Sequence, residues 1–205
     1  VDLRLRPSGQ SGPLLTTRQR LQQFLQSDAP VWLRQSYLRA HSLINEENGE
    51  VLRRASVEKP LTSTDKEELR EILNKLIKPQ AFEEHIDFKY NSGGLLTVEF
   101  VCQHYFLLHQ LAPSSANTIE QLQQVASHNS QSQWTQLIPL YEQMRQWEQL
   151  LQLFGQRSQS KLHWSSDSFV RLTKVLKQSP EMLQKQMEQT LKQSHKLCLD
   201  LDPLT

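Results

Sequence analysis

The chain opens on a carboxylate set among apolar and cationic neighbours. Val1-Asp2-Leu3-Arg4-Leu5-Arg6 alternates apolar and charged side chains as a half-buried strand does, and Pro7-Ser8-Gly9-Gln10-Ser11-Gly12-Pro13 follows as a breaker-rich loop. Arg4 and Arg6 carry planar cations, Gly9 and Gly12 let backbone N–H groups approach a ligand closely, and Ser8 stands in the same loop as a further phosphate-binding candidate. Together they form the combination that grips phosphate, beside a carboxylate, Asp2, that can hold Mg²⁺. Taken alone, Asp2 reads equally well as a solvent-facing strand residue, because a catalytic metal needs a second and a third ligand.

A second cluster lies at Asp87-Phe88-Lys89, followed by Gly93-Gly94-Leu95-Leu96-Thr97-Val98-Glu99-Phe100. A glycine pair that opens a buried helix can present backbone N–H groups to an anion, with Lys89 nearby as a cation. Glu99 in an apolar setting must find a partner or shift its pKa. The structural alternative is a Gly-rich helix start with a buried Glu99 paired to Arg39 or Lys89.

Other chemistries find no support. The seven histidines show neither HExxH nor paired-ligand spacing, and His104 and His109 share a helix face poorly, which argues against zinc. Gly-x-Ser-x-Gly, Walker and dinucleotide motifs are missing from the sequence. Trp134, Tyr141, Trp147 and Phe154 recur near every seventh residue, the pattern of a helix–helix contact. With 23 Lys and Arg against 22 Asp and Glu, a net charge of +1 makes no general case for nucleic acid or an anionic membrane. No apolar run approaches the ~18 residues of a membrane span, and no signal peptide opens the chain. A soluble, cytoplasmic protein with two reduced thiols, Cys102 and Cys198, is expected.

The positioning elements are mostly helical. Periodicity and caps predict helices near 16–26, 29–43, 48–57, 65–77, 95–111, 117–128, 131–154, 166–178 and 180–197. Leu69, Ile72, Leu73, Leu76 and Ile77 give the fourth of these its stripe, and the 95–111 segment, apolar nearly all round, should be central. Asn45 to Gly49 reads as a polar connection, Ile86 to Tyr90 as a strand, and Gly155 to Trp164 as an irregular connection. The glutamine-rich faces between 121 and 193 read as solvated. Because a lone strand is unstable in water, Val1–Arg6 should pair with strands upstream, which marks a fragment of a longer protein.

In this order, the two motifs resemble the glutamine synthetase adenylyltransferase/adenylyl-removing enzyme family. Val1-Asp2-Leu3-Arg4-Leu5-Arg6-Pro7-Ser8-Gly9-Gln10-Ser11-Gly12 resembles its strand-and-loop motif, with Trp32, Gln35, Arg39 and Ala40 following. Asp87-Phe88-Lys89, then Gly93 to Phe100 and Gln103, resembles its Gly-Gly motif. The resemblance implies a mainly α fold: a helical bundle (46–205) after the terminal strand of a truncated polymerase β-like nucleotidyltransferase α/β core (1–45). It implies transfer of AMP from ATP, with Mg²⁺, to a tyrosine of glutamine synthetase, and removal by phosphorolysis in a homologous half. Asp2 would be the third metal carboxylate; the Gly-Ser and Asp-x-Asp part is missing, so the fragment alone should be inactive. Partners would be glutamine synthetase and a PII signalling protein, with neither nucleic acid nor membrane. Leu33, His41 and Thr97 depart from the usual Glu, Arg and Asp/Glu. The alternative is a non-catalytic helical interaction module that binds glutamine synthetase or a PII-type regulator.

Overall fold

The computed structural model describes Pro7, residues 15–154 and residues 160–204. The first strand and its glycine loop, including Asp2, Arg4, Arg6, Ser8, Gly9 and Gly12, lie outside the described residues. The described chain is mainly α, as expected: nine helices and one two-stranded ribbon. These divide into two compact units.

The first unit draws on residues 15–72 and 102–128. Thr17 caps α1 (Arg18–Ser27) by accepting the Arg20 N–H. The i, i+3, i+4 set Leu21, Phe24 and Leu25 turns inward, and α1 packs on α3 (Glu46–Glu58). Leu25, Ala29, Leu33 and Ala55 form the buried centre, with Trp32, Tyr37 and Leu52 around it. Between these helices runs α2 (Val31–Tyr37), which begins after Pro30 and stops six residues before the expected end. The chain turns there because Ala40 gives its carbonyl to Arg53, while Asn45 caps α3 by accepting the Glu47 N–H. The stretch expected as a polar connection therefore holds the first turn of α3, with Glu46 and Glu47 at its positive end.

Gln35, Gln103 and Gln121 are buried, and of these only Gln121 lies on a face expected to be solvated. Gln121, on α6 (Thr118–His128), donates to the carbonyls of Leu38 and Ser115, and Gln35 donates to Gln103. Through Gln121, backbone groups that would otherwise be buried without partners are satisfied. The expected stripe of α4 (Ser63–Leu76) is buried only at Leu69; Ile72 and Leu73 are half-buried and Leu76 is exposed.

The second unit draws on residues 73–101, 129–154 and 160–203. Its helices α7 (Ser132–Leu153), α8 (Asp167–Leu176) and α9 (Pro180–Leu201) pack on one another. Ser166 caps α8, and Ser179 caps α9 ahead of proline at its first position. Trp134, Tyr141 and Trp147 form the buried stripe of α7 that their spacing predicts. The strand β1 (His85–Asp87) is shorter than expected, because the chain turns at Phe88. It pairs antiparallel with β2 (Lys161–His163), in the register His85 to His163, inside the stretch expected to be irregular. Only Leu162 of β2 is buried, and three residues are too short to display an alternation in sequence. The helix α5 (Leu95–Leu108) is buried along nearly its whole length, as its all-round apolar composition requires.

Cys102 and Cys198 are both buried thiols. Burial pushes the Cys198 thiol up to about 12. A thiol whose folded pKa is raised stabilises the fold fully below its unfolded value of about 8.5, and that stability is lost as pH rises toward the folded value. Urea midpoints measured from pH 8 to 11 should therefore fall by the equivalent of about 1.4 kcal/mol per unit above pH ~9 from this group. In Cys198→Ala that component of the slope should vanish, and an unchanged slope would refute the assignment.

Candidate functional site

The second motif begins where β1 ends. Asp87 is buried, and its Oδ1 accepts the backbone N–H of Lys89 and Tyr90, each at 3.1 Å, and the Ser160 hydroxyl at 2.7 Å. Asn91 answers from the other side of the turn. Its Oδ1 accepts the Asp87 N–H at 2.7 Å, and its Nδ2 donates to the Pro79 carbonyl. Asp and Asn side chains stabilise turns in this way by substituting for backbone acceptors. The Lys78 ammonium lies 3.9 Å from Asp87 Oδ2.

The turn delivers the chain to Gly93 and Gly94 at the start of α5. Gly93 has φ +79°. A Cβ there would meet the Leu191 carbonyl oxygen and come within 2.5 Å of the His195 nitrogen, so the backbone lies directly on α9. At Gly94 a Cβ would come within 2.5 Å of the Phe88 carbonyl oxygen. The Gly93 N–H donates to Thr97 Oγ1 at 3.1 Å, Gly94 to the Asn91 carbonyl, Leu95 to Phe88 and Leu96 to Lys89. These are the donors that a helix N-terminus leaves over, and here each meets a protein acceptor. Thr97 stands at the third helical position, where a side chain reaches back to cap the entering backbone. A hydroxyl does this as an acid would.

Lys89 and Glu99 part company. The Lys89 carbonyl rests on the first turn of α5, but its ammonium lies over the Tyr90 ring, 5.2 Å from the centroid, with that of Lys78 at 5.3 Å. Glu99 is buried one turn into α5, where its Oε1 accepts the Tyr141 hydroxyl at 2.8 Å. That tyrosine belongs to the aromatic stripe of α7, and a phenol in such a stripe is the signal that one of its members carries a hydrogen bond. Ser160, which braces Asp87 from just before β2, leaves no signal in the sequence. Among the described residues no group of three or more His, Cys, Asp or Glu is placed to hold a metal ion, and no helix is long and apolar enough to cross a membrane.

Two family models match the chain in series. Residues 1–56 match glutamate-ammonia ligase adenylyltransferase, and residues 66–201 match GlnD PII-uridylyltransferase. Similar curated proteins carry the name bifunctional glutamine synthetase adenylyltransferase/adenylyl-removing enzyme. That of Mannheimia succiniciproducens is 32% identical over 57% of this chain and 12% of its own length. That of Agrobacterium fabrum is 30% identical over 65% of the chain and 14% of its length, and that of Bordetella bronchiseptica 34% over 53% and 12%. The chain thus spans about an eighth of the relatives it matches. With the uridylyltransferase match covering about two thirds of its residues, the chain belongs to the GlnD PII-uridylyltransferase family, and its first 56 residues are similar to the glutamate-ammonia ligase adenylyltransferases.

Proposed function

We propose that the chain is part of a cytoplasmic nucleotidyltransferase that moves AMP from ATP onto a tyrosine hydroxyl of glutamine synthetase and, in a homologous half, removes it by phosphorolysis. The observation that carries this reading is the succession of the two family matches along one chain, with relatives named for both activities. In the forward reaction the tyrosine oxygen bonds to the α-phosphorus as pyrophosphate leaves. Positioning and charge stabilisation carry such a transfer. Arg4, Arg6, Ser8, Gly9 and Gly12 would hold the phosphates, and Asp2 would be one carboxylate for Mg²⁺, which supplies charge neutralisation across them. All six lie outside the described residues, so no geometry is attached to them. The second motif acts in this reading as a positioning device: Gly93 and Gly94 seat α5, and Glu99 is held by Tyr141. The chain alone is inactive, in keeping with the small share of each relative that it covers.

A second reading is a helical interaction module that binds glutamine synthetase or a PII-type protein without chemistry. It is favoured by the position of the uridylyltransferase match, which falls on helical residues whose motif donors are internally satisfied. One experiment separates the two. The chain extended by its upstream coding sequence should label glutamine synthetase with AMP when given Mg²⁺ and ATP, and Asp2→Ala should abolish the label. Unchanged labelling in that variant would sink the site assignment. Absence of labelling, with nucleotide-independent capture of glutamine synthetase or a PII protein, would establish the second reading.

A further inference from the structure

We propose that the β1–β2 ribbon binds one divalent transition-metal ion between the imidazoles of His85 and His163. The register places these two residues directly opposite each other on antiparallel strands. The flanking bonds, Trp164 N–H to the Glu84 carbonyl and Phe88 N–H to the Ser160 carbonyl, fix the hydrogen-bonded positions of the ladder. By alternation, His85 and His163 form a non-hydrogen-bonded pair, the kind in which facing side chains approach most closely, with Cα atoms ~4.5 Å apart. Their ring centroids lie 5.2 Å apart with the planes inclined by 37°.

Zn–N bonds of about 2.0–2.1 Å put two ligating nitrogens ~3.3 Å apart in a tetrahedral site. Rings at this separation reach that span by rotation about Cβ–Cγ. The His163 side chain is exposed and that of His85 half-buried, so water completes the coordination. Burial, followed by the charges of Lys161 and His163, lowers the proton affinity of His85 and favours the neutral imidazole that binds metal, while Asp87 and Glu84 act in the opposite direction. Two imidazoles select Cu²⁺, Ni²⁺ and Zn²⁺ over Mg²⁺ and Ca²⁺. The site is therefore independent of the nucleotidyltransferase reading and of its Mg²⁺. Sequence spacing could not reveal it, because strand pairing rather than a shared helix face brings the ligands together.

The test is calorimetric titration of the untagged, metal-free chain with Ni²⁺, alongside ring resonances followed by NMR. One equivalent should bind and selectively broaden the His85 and His163 rings, with millimolar Mg²⁺ failing to compete. His163→Gln, an exposed change, should weaken binding at least tenfold, whereas His41→Gln and His128→Gln should leave it unchanged. Equal affinity in His163→Gln, broadening confined to other histidines, or no binding at millimolar Ni²⁺ would each overturn the proposal.

Discussion

Gly93→Ala is expected to destabilise the second unit by about 2–5 kcal/mol, the sum of a left-handed backbone penalty and overpacking. The backbone contribution comes from φ +79°, which an L side chain rarely adopts. The larger part is contact. The new methyl would press on the Leu191 carbonyl oxygen and on the nitrogen and Cβ of His195, two of the three being backbone atoms that cannot rotate away. Either α9 moves as a rigid rod or the turn from Phe88 to Gly94 gives way. That turn holds Asp87, Asn91 and, through the N–H of Gly93, Thr97, so its loss would also release the start of α5. Gly93→Asn separates the two causes, since asparagine tolerates positive φ but carries the same Cβ. Both variants should show urea midpoints well below that of the parent, with Asn recovering only a fraction of the loss. Full recovery by Asn would assign the cost to the backbone angle, and a wild-type midpoint in Gly93→Ala would refute the close packing.

That close packing shows where sequence reasoning reaches and where it stops. Glycines before a buried helix announce a tight approach, but what Gly93 approaches, Leu191 and His195, lies about a hundred residues further along the chain. Local signals are legible where the physics is local. Ser179, ahead of Pro180, marks a helix start because it supplies a missing acceptor within three residues, whereas the caps Thr17 and Ser166 fall inside the helices expected from periodicity. The all-round apolar α5 and the aromatic stripe of α7 announce their burial by composition. Strand β2 and the early end of α2 escape because distant partners decide them: β1 in one case, the Arg53 side chain in the other. Gln121 looks like a solvated helix residue because the carbonyls it serves, on Leu38 and Ser115, lie on other segments. Of the candidate site, the glycines and Glu99 are legible as residue types. Tyr141 and Ser160 become partners of the site only through folding.

Arg53 is expected to be the most costly polar residue to remove from the first unit. Its side chain is fully buried, yet it makes four hydrogen bonds: Nε to the Pro113 carbonyl at 3.0 Å, Nη1 to the Ala40 carbonyl and Glu46 Oε1, both at 2.7 Å, and Nη2 to the Ser114 carbonyl at 3.1 Å. One planar cation thus ties α3 to the turn after α2 and to the segment before α6. Gly49 leaves room for it, since a Cβ there would stand 3.0 Å from Nη1. In return the guanidinium holds the Glu46 carboxyl below its ordinary pKa, chiefly through their hydrogen bond. Arg53→Met keeps much of the volume but removes every donor, leaving three backbone carbonyls without this partner. Leaving a buried carbonyl without its donor costs about 1–3 kcal/mol, and three lose theirs at once, so Met should lose nearly as much as Ala in urea unfolding. A lysine ammonium cannot span the same fork, and Arg53→Lys should recover only part of the loss. If Met proved as stable as the parent, volume rather than hydrogen bonding would hold these segments together, and the role assigned to the guanidinium would fail.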